Sequence, residues 1–154
     1  MTDSISIAVV GLGFGAEFAA IYNHHPNVRR TVIVDESARW LERVGDRFDL
    51  SNRQTSLDAV LADPSIDAVH IATGITDHAQ HTLDVLRAGK HCACAVPMAT
   101  SIEDLQAIVA TVRETGLNYM MMETTVYDRA FFWVREQLQA GVFGEIQLVR
   151  GAHY

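Results

Sequence analysis

The stretch "ISIAVVGLGFGAEF" (residues 5–18) decides how the rest of the chain is read. A short apolar run ends in glycines, and a helix-forming run follows at once. Gly11, Gly13 and Ala16 stand in the spacing G-x-G-x-x-A, with Phe14 and Gly15 inside the same turn. Between a strand and a helix, that spacing reads as a dinucleotide-binding turn. Gly11 permits the tight turn. Gly13 has no Cβ, so a pyrophosphate can approach the backbone, and Ala16 lets helix and strand pack closely. The helix start offers free N–H groups and a positive dipole end to the phosphates. The alternative is a tight turn that holds no ligand.

Outward from this turn the pattern alternates. "RTVIVDE" (30–36), "IDAVHIAT" (66–73), "HCACAV" (91–96) and "LNYMMME" (117–123) read as further strands. Between them lie helical runs: "SARWLERVGDRF" with Ser37 as N-cap, "SLDAVLADP" stopped by Pro64, "DHAQHTLDVLRAGK" closed by Gly89, and "SIEDLQAIVATVRETG" opened by Ser101 and Asp104. "YDRAFFWVREQLQAG" reads as another helix and "GEIQLVRGAHY" (144–154) as a last strand. Strands alternating with helices give βαβ units. Near-continuous apolar strands such as "IAVV" mean burial on both faces. The fold expected is α/β: a doubly wound parallel sheet, Rossmann-like. Its expected extent is residues 1–125, with 126–154 a crossover helix and the first strand of a truncated second domain.

The chain has 154 residues, 49% of them hydrophobic and 20% charged, as in a water-soluble globular domain. Its net charge of −7 argues against nucleic acid and anionic membranes as partners. No apolar run approaches the roughly 20 residues of a membrane span. No basic leader precedes the first strand, so a cytoplasmic location is expected. Cys92 and Cys94 lie one residue apart on one strand face, a poor position for a structural disulfide, and read as small core residues. His91 is their only neighbouring donor, so no zinc set is expected there.

Asp35 ends the second strand, where an acid binds the adenosine ribose hydroxyls. A carboxylate there also repels a 2′-phosphate, so NAD is expected rather than NADP. Arg39, one helical turn on, softens that preference if it reaches the same site. Alternatively, Asp35 is an acid at a helix start.

The middle of the chain, "IDAVHIATGITDHAQHTLDVLRAGKHCACAVPMATSIEDLQAIV", resembles the Gfo/Idh/MocA oxidoreductases. The likeness is specific in "ATG…H", "AGKH" and "VPMA", and runs from the first strand to about residue 150. It implies an N-terminal NAD(P)-binding domain, a larger C-terminal α/β domain that forms the oligomer, and a carbohydrate-like small-molecule substrate. Carried over, Thr73 and Gly74 lie on the nicotinamide ribose side, with Gly74 where the family has proline. His78 matches the histidine of the family's TPxxxH pattern, near the cofactor, or else packs at a helix start. Ala95 and Pro97 belong to the tripeptide that closes the cofactor site. One helical turn separates His78 from His81, but no third metal ligand is placed, so no metal site is expected.

Two departures matter. The family's Glu-Lys-Pro tripeptide is Ala95-Val96-Pro97 here. The resemblance gives that lysine the substrate and its hydroxyl proton, and valine does no acid–base work. Lys90 is the sole lysine, and its charge suits the preceding helix C-terminus. The chain also ends where the family's second domain begins, so a fragment inactive by itself is expected, with its last strand an open edge that pairs with another copy or stays disordered. Catalytic residues are not assigned. Glu123, Tyr127 and His78 are the polar candidates, Glu123 and Tyr127 standing equally well as a polar loop. Met120, Met121, Met122, Phe131, Phe132 and Trp133 read as packing residues. His24 and His25 read as helix-end residues, and Arg150 and His153 as possible cleft residues of a longer protein. The function expected is the cofactor-binding part of an NAD-dependent dehydrogenase of sugars, polyols or similar molecules. A non-catalytic NAD-binding sensor or assembly module is the alternative.

Overall fold

A computed structural model describes residues 4–151. The chain divides into two compact units, Met1–Met122 and Glu123–Tyr154. The first is built on six strands: β1 (Ile5–Val10), β2 (Val28–Val34), β3 (Arg53–Gln54), β4 (Ala68–Ile71), β5 (His91–Ala95) and β6 (Tyr119–Met122). They form one sheet in the order β3-β2-β1-β4-β5-β6, and every pairing is parallel. The connecting helices are α1 (Leu12–His24), α2 (Ala38–Phe48), α3 (Leu57–Ala62), α4 (His78–Arg87) and α5 (Ile102–Thr115). β1 lies between β2 and β4, so the winding reverses at β1/β4. A doubly wound sheet opens its crevice there, at the strand carboxyl ends.

Strand alternation splits the core into two layers. Val9 and Ile33 join Leu12 and Ala19 of α1 and Leu41 and Val44 of α2. Ala8, Val10, Val32 and Val34 point the other way, to Val60 of α3 and Val85 and Leu86 of α4. Cys92 and Cys94 are buried in this second layer as free thiols. Ser37 caps α2 by accepting the Trp40 N–H, and Ser101 caps α5 by accepting that of Asp104 at 3.1 Å. Gly89 follows α4 with φ 77°, the conformation a helix-terminating glycine supplies. No helix among the described residues is long and apolar enough to cross a membrane.

Three expectations need correction. β3 was not visible in the sequence pattern, because it has two residues, Arg53 and Gln54, both polar and exposed. An edge strand this short carries no apolar run. The strand expected over 144–154 is not formed within residues 144–151, and 152–154 lie outside the described residues. A strand exists only against a partner, and no strand pairing includes residues 144–151. Arg150 is therefore exposed and irregular, and His153 falls outside the described residues. Lys90 is structural but does not serve the end of α4. Its buried Nζ donates to the carbonyls of Asp63 (2.7 Å) and Ile66 (3.0 Å), in the loop entering β4.

In the second unit, a 3₁₀ turn (Thr124–Tyr127) precedes α6 (Arg129–Gln139). Asp128 caps α6 by accepting the Ala130 N–H at 2.7 Å. None of the α6 side chains is buried, and Arg135 lies over the Phe132 ring at 4.8 Å.

One buried group makes the fold pH-sensitive. His70 of β4 is fully buried, edge-on to Phe18 of α1 at 4.8 Å, with Nδ1 3.2 Å from the Tyr22 hydroxyl. Burial pushes its pKa down to about 4 from an ordinary 6.5. The neutral ring's stabilising contribution is complete above pH 6.5. It is lost as pH falls toward 4, because the unfolded chain takes up the proton first. The loss is on the order of 3 kcal/mol. Unfolding free energy measured between pH 7 and pH 4 falls accordingly, and His70→Leu removes most of that slope. An undiminished slope in the variant assigns it elsewhere.

Candidate cofactor site

The crevice at the carboxyl ends of β1, β2 and β4 holds a hollow of about 760 Å³. Dinucleotide-sized ligands occupy clefts of roughly 300–1,000 Å³. The turn after β1 forms its floor. Gly11 has φ +92°, and a Cβ there would lie 2.5 Å from the Ala72 carbonyl oxygen. At Gly13 a Cβ would meet nothing within 4 Å, so this position opens onto free space at the N-terminus of α1. Gly15 is buried, and its Cβ would lie 2.8 Å from Val9 Cγ1 and 3.2 Å from Ala72 Cβ. A close helix–strand approach is thus made at Gly15. α1 starts at Leu12, which turns Leu12, Gly15 and Ala19 inward. Ala16 is partly buried and packs on the layer that contains Val9, Ile33, Leu41 and Val44. Phe14 is exposed on the wall of the hollow and stacks edge-on with Phe18 at 5.4 Å.

Asp35 lines the same hollow. Its Oδ2 accepts the Leu12 N–H and its Oδ1 that of Ser37, both at 2.9 Å. The carboxylate thus ties the glycine turn to the start of α2. Arg39 does not line the hollow and lies with Trp40 and Arg43 on a separate surface. The lining carries Asp35, Glu36, Asp58, Asp77 and Asp84 and, among the described residues, no arginine or lysine.

Thr73 and Gly74 line the hollow after β4. His78 and His81 diverge. His78 is 1% exposed, with Nδ1 2.8 Å from the Pro97 carbonyl and Nε2 3.1 Å from that of Thr73. It joins the loops that follow β4 and β5 and does not line the hollow. His81, considered in the sequence only as a second metal ligand, is half-buried on the wall, with Nδ1 3.1 Å from Thr73 Oγ1. Its signal was its place one turn along α4, between Asp77 and Asp84. Thr55, Ser56, Leu57 and Asp58, at the start of α3, form another wall that no motif marked. Among the described residues, no three His, Cys, Asp or Glu side chains converge as metal ligands.

Ala95 is buried at the end of β5, Val96 is 39% exposed, and the Val96–Pro97 peptide is cis. None of the three lines the hollow. Burial pushes the Cys92 thiol up to about 12, so it is no nucleophile at neutral pH. Glu123 and Tyr127 belong to the second unit. Glu123 Oε1 accepts the Thr125 N–H at 3.0 Å, and Tyr127 is exposed.

Residues 5–123 match the Gfo/Idh/MocA oxidoreductase family, NAD-binding Rossmann fold. Over 144 residues the chain is 31% identical to 2,7-anhydro-N-acetylneuraminate hydratase of Escherichia coli, covering 92% of this chain and 38% of that protein. It is 30% identical to a glycosyl hydrolase family 109 protein of Shewanella baltica, covering 94% of this chain and 34% of that one. An Agrobacterium radiobacter oxidoreductase solved with NAD+, L-tartaric acid and magnesium superposes with a TM-score of 0.82 at 26% identity, over 92% of this chain and 42% of that one. The chain thus spans little more than a third of the curated relatives' length.

Proposed function

The chain belongs to the Gfo/Idh/MocA oxidoreductase family, and from that premise we propose that its first unit binds NAD for hydride transfer to and from a hydroxyl-bearing carbon of a carbohydrate-like molecule. The observation that carries this is the free space over Gly13 at the start of α1, in the same hollow as Asp35. Pyrophosphate oxygens fit the N–H groups of α1 there, and the Asp35 carboxylate fits the adenosine ribose hydroxyls. When bound, nicotinamide supplies the hydride acceptor. The residues of this chain hold and orient it. Val96, exposed after β5, has no proton to move, so either the acid–base groups come from outside the first unit or the chemistry differs from the family's standard relay.

The relatives' names favour a particular form of this chemistry. A hydratase and a glycosyl hydrolase carry out no net oxidation. On this reading the hydride returns to the same sugar, and transient oxidation assists elimination or glycoside cleavage.

The cofactor choice follows from charge. Asp35 and Glu36 stand where a 2′-phosphate would come, with no arginine or lysine among the described residues of the lining to neutralise it. Two like charges a few ångströms apart near a protein surface repel by about 2 kcal/mol or more. NADH is expected to bind at least about tenfold tighter than NADPH. Asp35→Asn, which removes the charge and keeps an acceptor oxygen, narrows that gap. Fluorescence titration of both cofactors measures it. Equal affinities in the parent protein overturn the choice of NAD, and no binding of either at millimolar concentration overturns the function.

A further inference from the structure

On the α4 wall of the hollow, one nitrogen of the His81 ring does no work in the fold. His81 Nδ1 is engaged by Thr73 Oγ1 at 3.1 Å, which fixes the ring from the end of β4. Nε2 has no partner among the described residues, although the ring is half-buried in the lining. The neighbouring Gln80 is already committed, donating its amide to Asp84 at 2.8 Å. An imidazole held at one nitrogen presents the other in a fixed direction, as donor or acceptor according to its tautomer.

The position of this wall tells which end of a dinucleotide it meets. The hollow runs from Asp35 at the end of β2, past Ser56 and Asp58 at the start of α3, to His81 on α4. The end of β5, with Val96 and Pro97, is outside it. A dinucleotide lying across a doubly wound sheet puts its adenosine on the β2 side and its nicotinamide toward the far strands. His81 shares its hollow with the β2 side. A flat base placed beyond the ribose of Asp35 stays in the hollow that the start of α3 and His81 also line.

We propose that His81 contacts the adenine base through Nε2 and that Thr73, through its hydroxyl, is the residue that positions the ring. This assignment rests on the NAD-binding reading above. It separates His81 from His78, which matches the family's motif yet spends both ring nitrogens on backbone carbonyls. It also makes the α4 wall a recognition surface for the half of the cofactor that takes no part in chemistry.

ADP-ribose tests this, because it carries the adenosine half and lacks nicotinamide. His81→Ala is expected to weaken NADH and ADP-ribose by the same factor, about five- to tenfold, the worth of one hydrogen bond. Affinities are read by NADH fluorescence and by its displacement with ADP-ribose. Thr73→Val, which keeps the shape and removes the hydroxyl, weakens both by a smaller common factor. Thermal melting of each variant separates lost binding from lost folding, and His81→Gln provides a second variant if the alanine protein melts early. Loss for NADH alone places His81 at the nicotinamide end and overturns the assignment. Unchanged affinity for both ligands overturns it as well. If the parent protein binds neither ligand, the NAD reading itself has failed, a result distinct from the other two.

Discussion

Gly13→Val is expected to leave the melting temperature within about 3 °C of the parent's while weakening NADH binding at least about a hundredfold. The two halves of that expectation have separate causes. Gly13 is the second residue of α1, and a Cβ there meets nothing within 4 Å. Valine at a helical position is no worse than glycine, so the fold loses nothing by the change. In the proposed reading, the space above Gly13 is where phosphate oxygens reach N–H groups of the first helical turn. An isopropyl group fills that space. A hundredfold loss corresponds to about 2.7 kcal/mol, which excluding a pyrophosphate from its N–H groups readily exceeds. Full NADH affinity in a normally melting Gly13→Val protein means that the hollow does not hold the cofactor's phosphates.

That separation of binding from folding was legible in the sequence only in part. The glycine turn was readable because its chemistry is local: three positions in a fixed spacing between an apolar run and a helix. The sheet was readable because its strands are buried on both faces where they meet the core, so β1 and β2 end in the apolar runs Ile7–Val10 and Val32–Val34. β3 escaped because two polar residues at an edge leave no pattern. The close contact at Gly15 was not marked beside that at Ala16, because the motif's spacing does not say where the helix begins and which side chains it turns inward. Lys90 illustrates the same gap. Its sequence neighbour is the end of α4, but the carbonyls it satisfies lie in the loop before β4, brought near by the sheet.

The site residues divide along the same line. Gly11, Gly13, Asp35 and Thr73 are placed by the ends of individual strands, and a doubly wound order puts those ends together. His78 and His81 depend on the rotation of α4, which spacing alone leaves open. They stand one helical turn apart on α4. One is driven into the protein by two backbone carbonyls, and the other is left on the hollow with a hydroxyl beside it. A buried polar ring is favoured where hydrogen-bonding groups lie beside it, and the ends of β4 and β5 bring the Thr73 and Pro97 carbonyls near His78. The resemblance pointed to His78, while the hollow is lined by His81.

Gly11→Ala adds a single methyl group two residues from Gly13 and is expected to act on the fold instead. Gly11 has φ 92° and ψ 98°, a conformation that side chains avoid. Holding an alanine there costs about 1–3 kcal/mol by itself. The new methyl would also lie 2.5 Å from the Ala72 oxygen and 2.7 Å from its carbonyl carbon, both backbone atoms that cannot turn aside. Relief requires the turn to move or β1 and β4 to separate. The first breaks the bond from the Gly11 N–H to the Val34 carbonyl at 2.9 Å. The second breaks that from the Ala72 N–H to the Val10 carbonyl at 2.8 Å. Strain and lost pairing together reach about 3–5 kcal/mol. For a chain of this size the melting temperature falls by roughly 10 °C or more. Measured without ligand, the drop reports on the fold alone, and Gly13→Ala is the matched control: the same methyl, facing open space, with no drop. Equal melting of the two alanine variants means that the close approach of β1 to β4 at Gly11 does not constrain the fold.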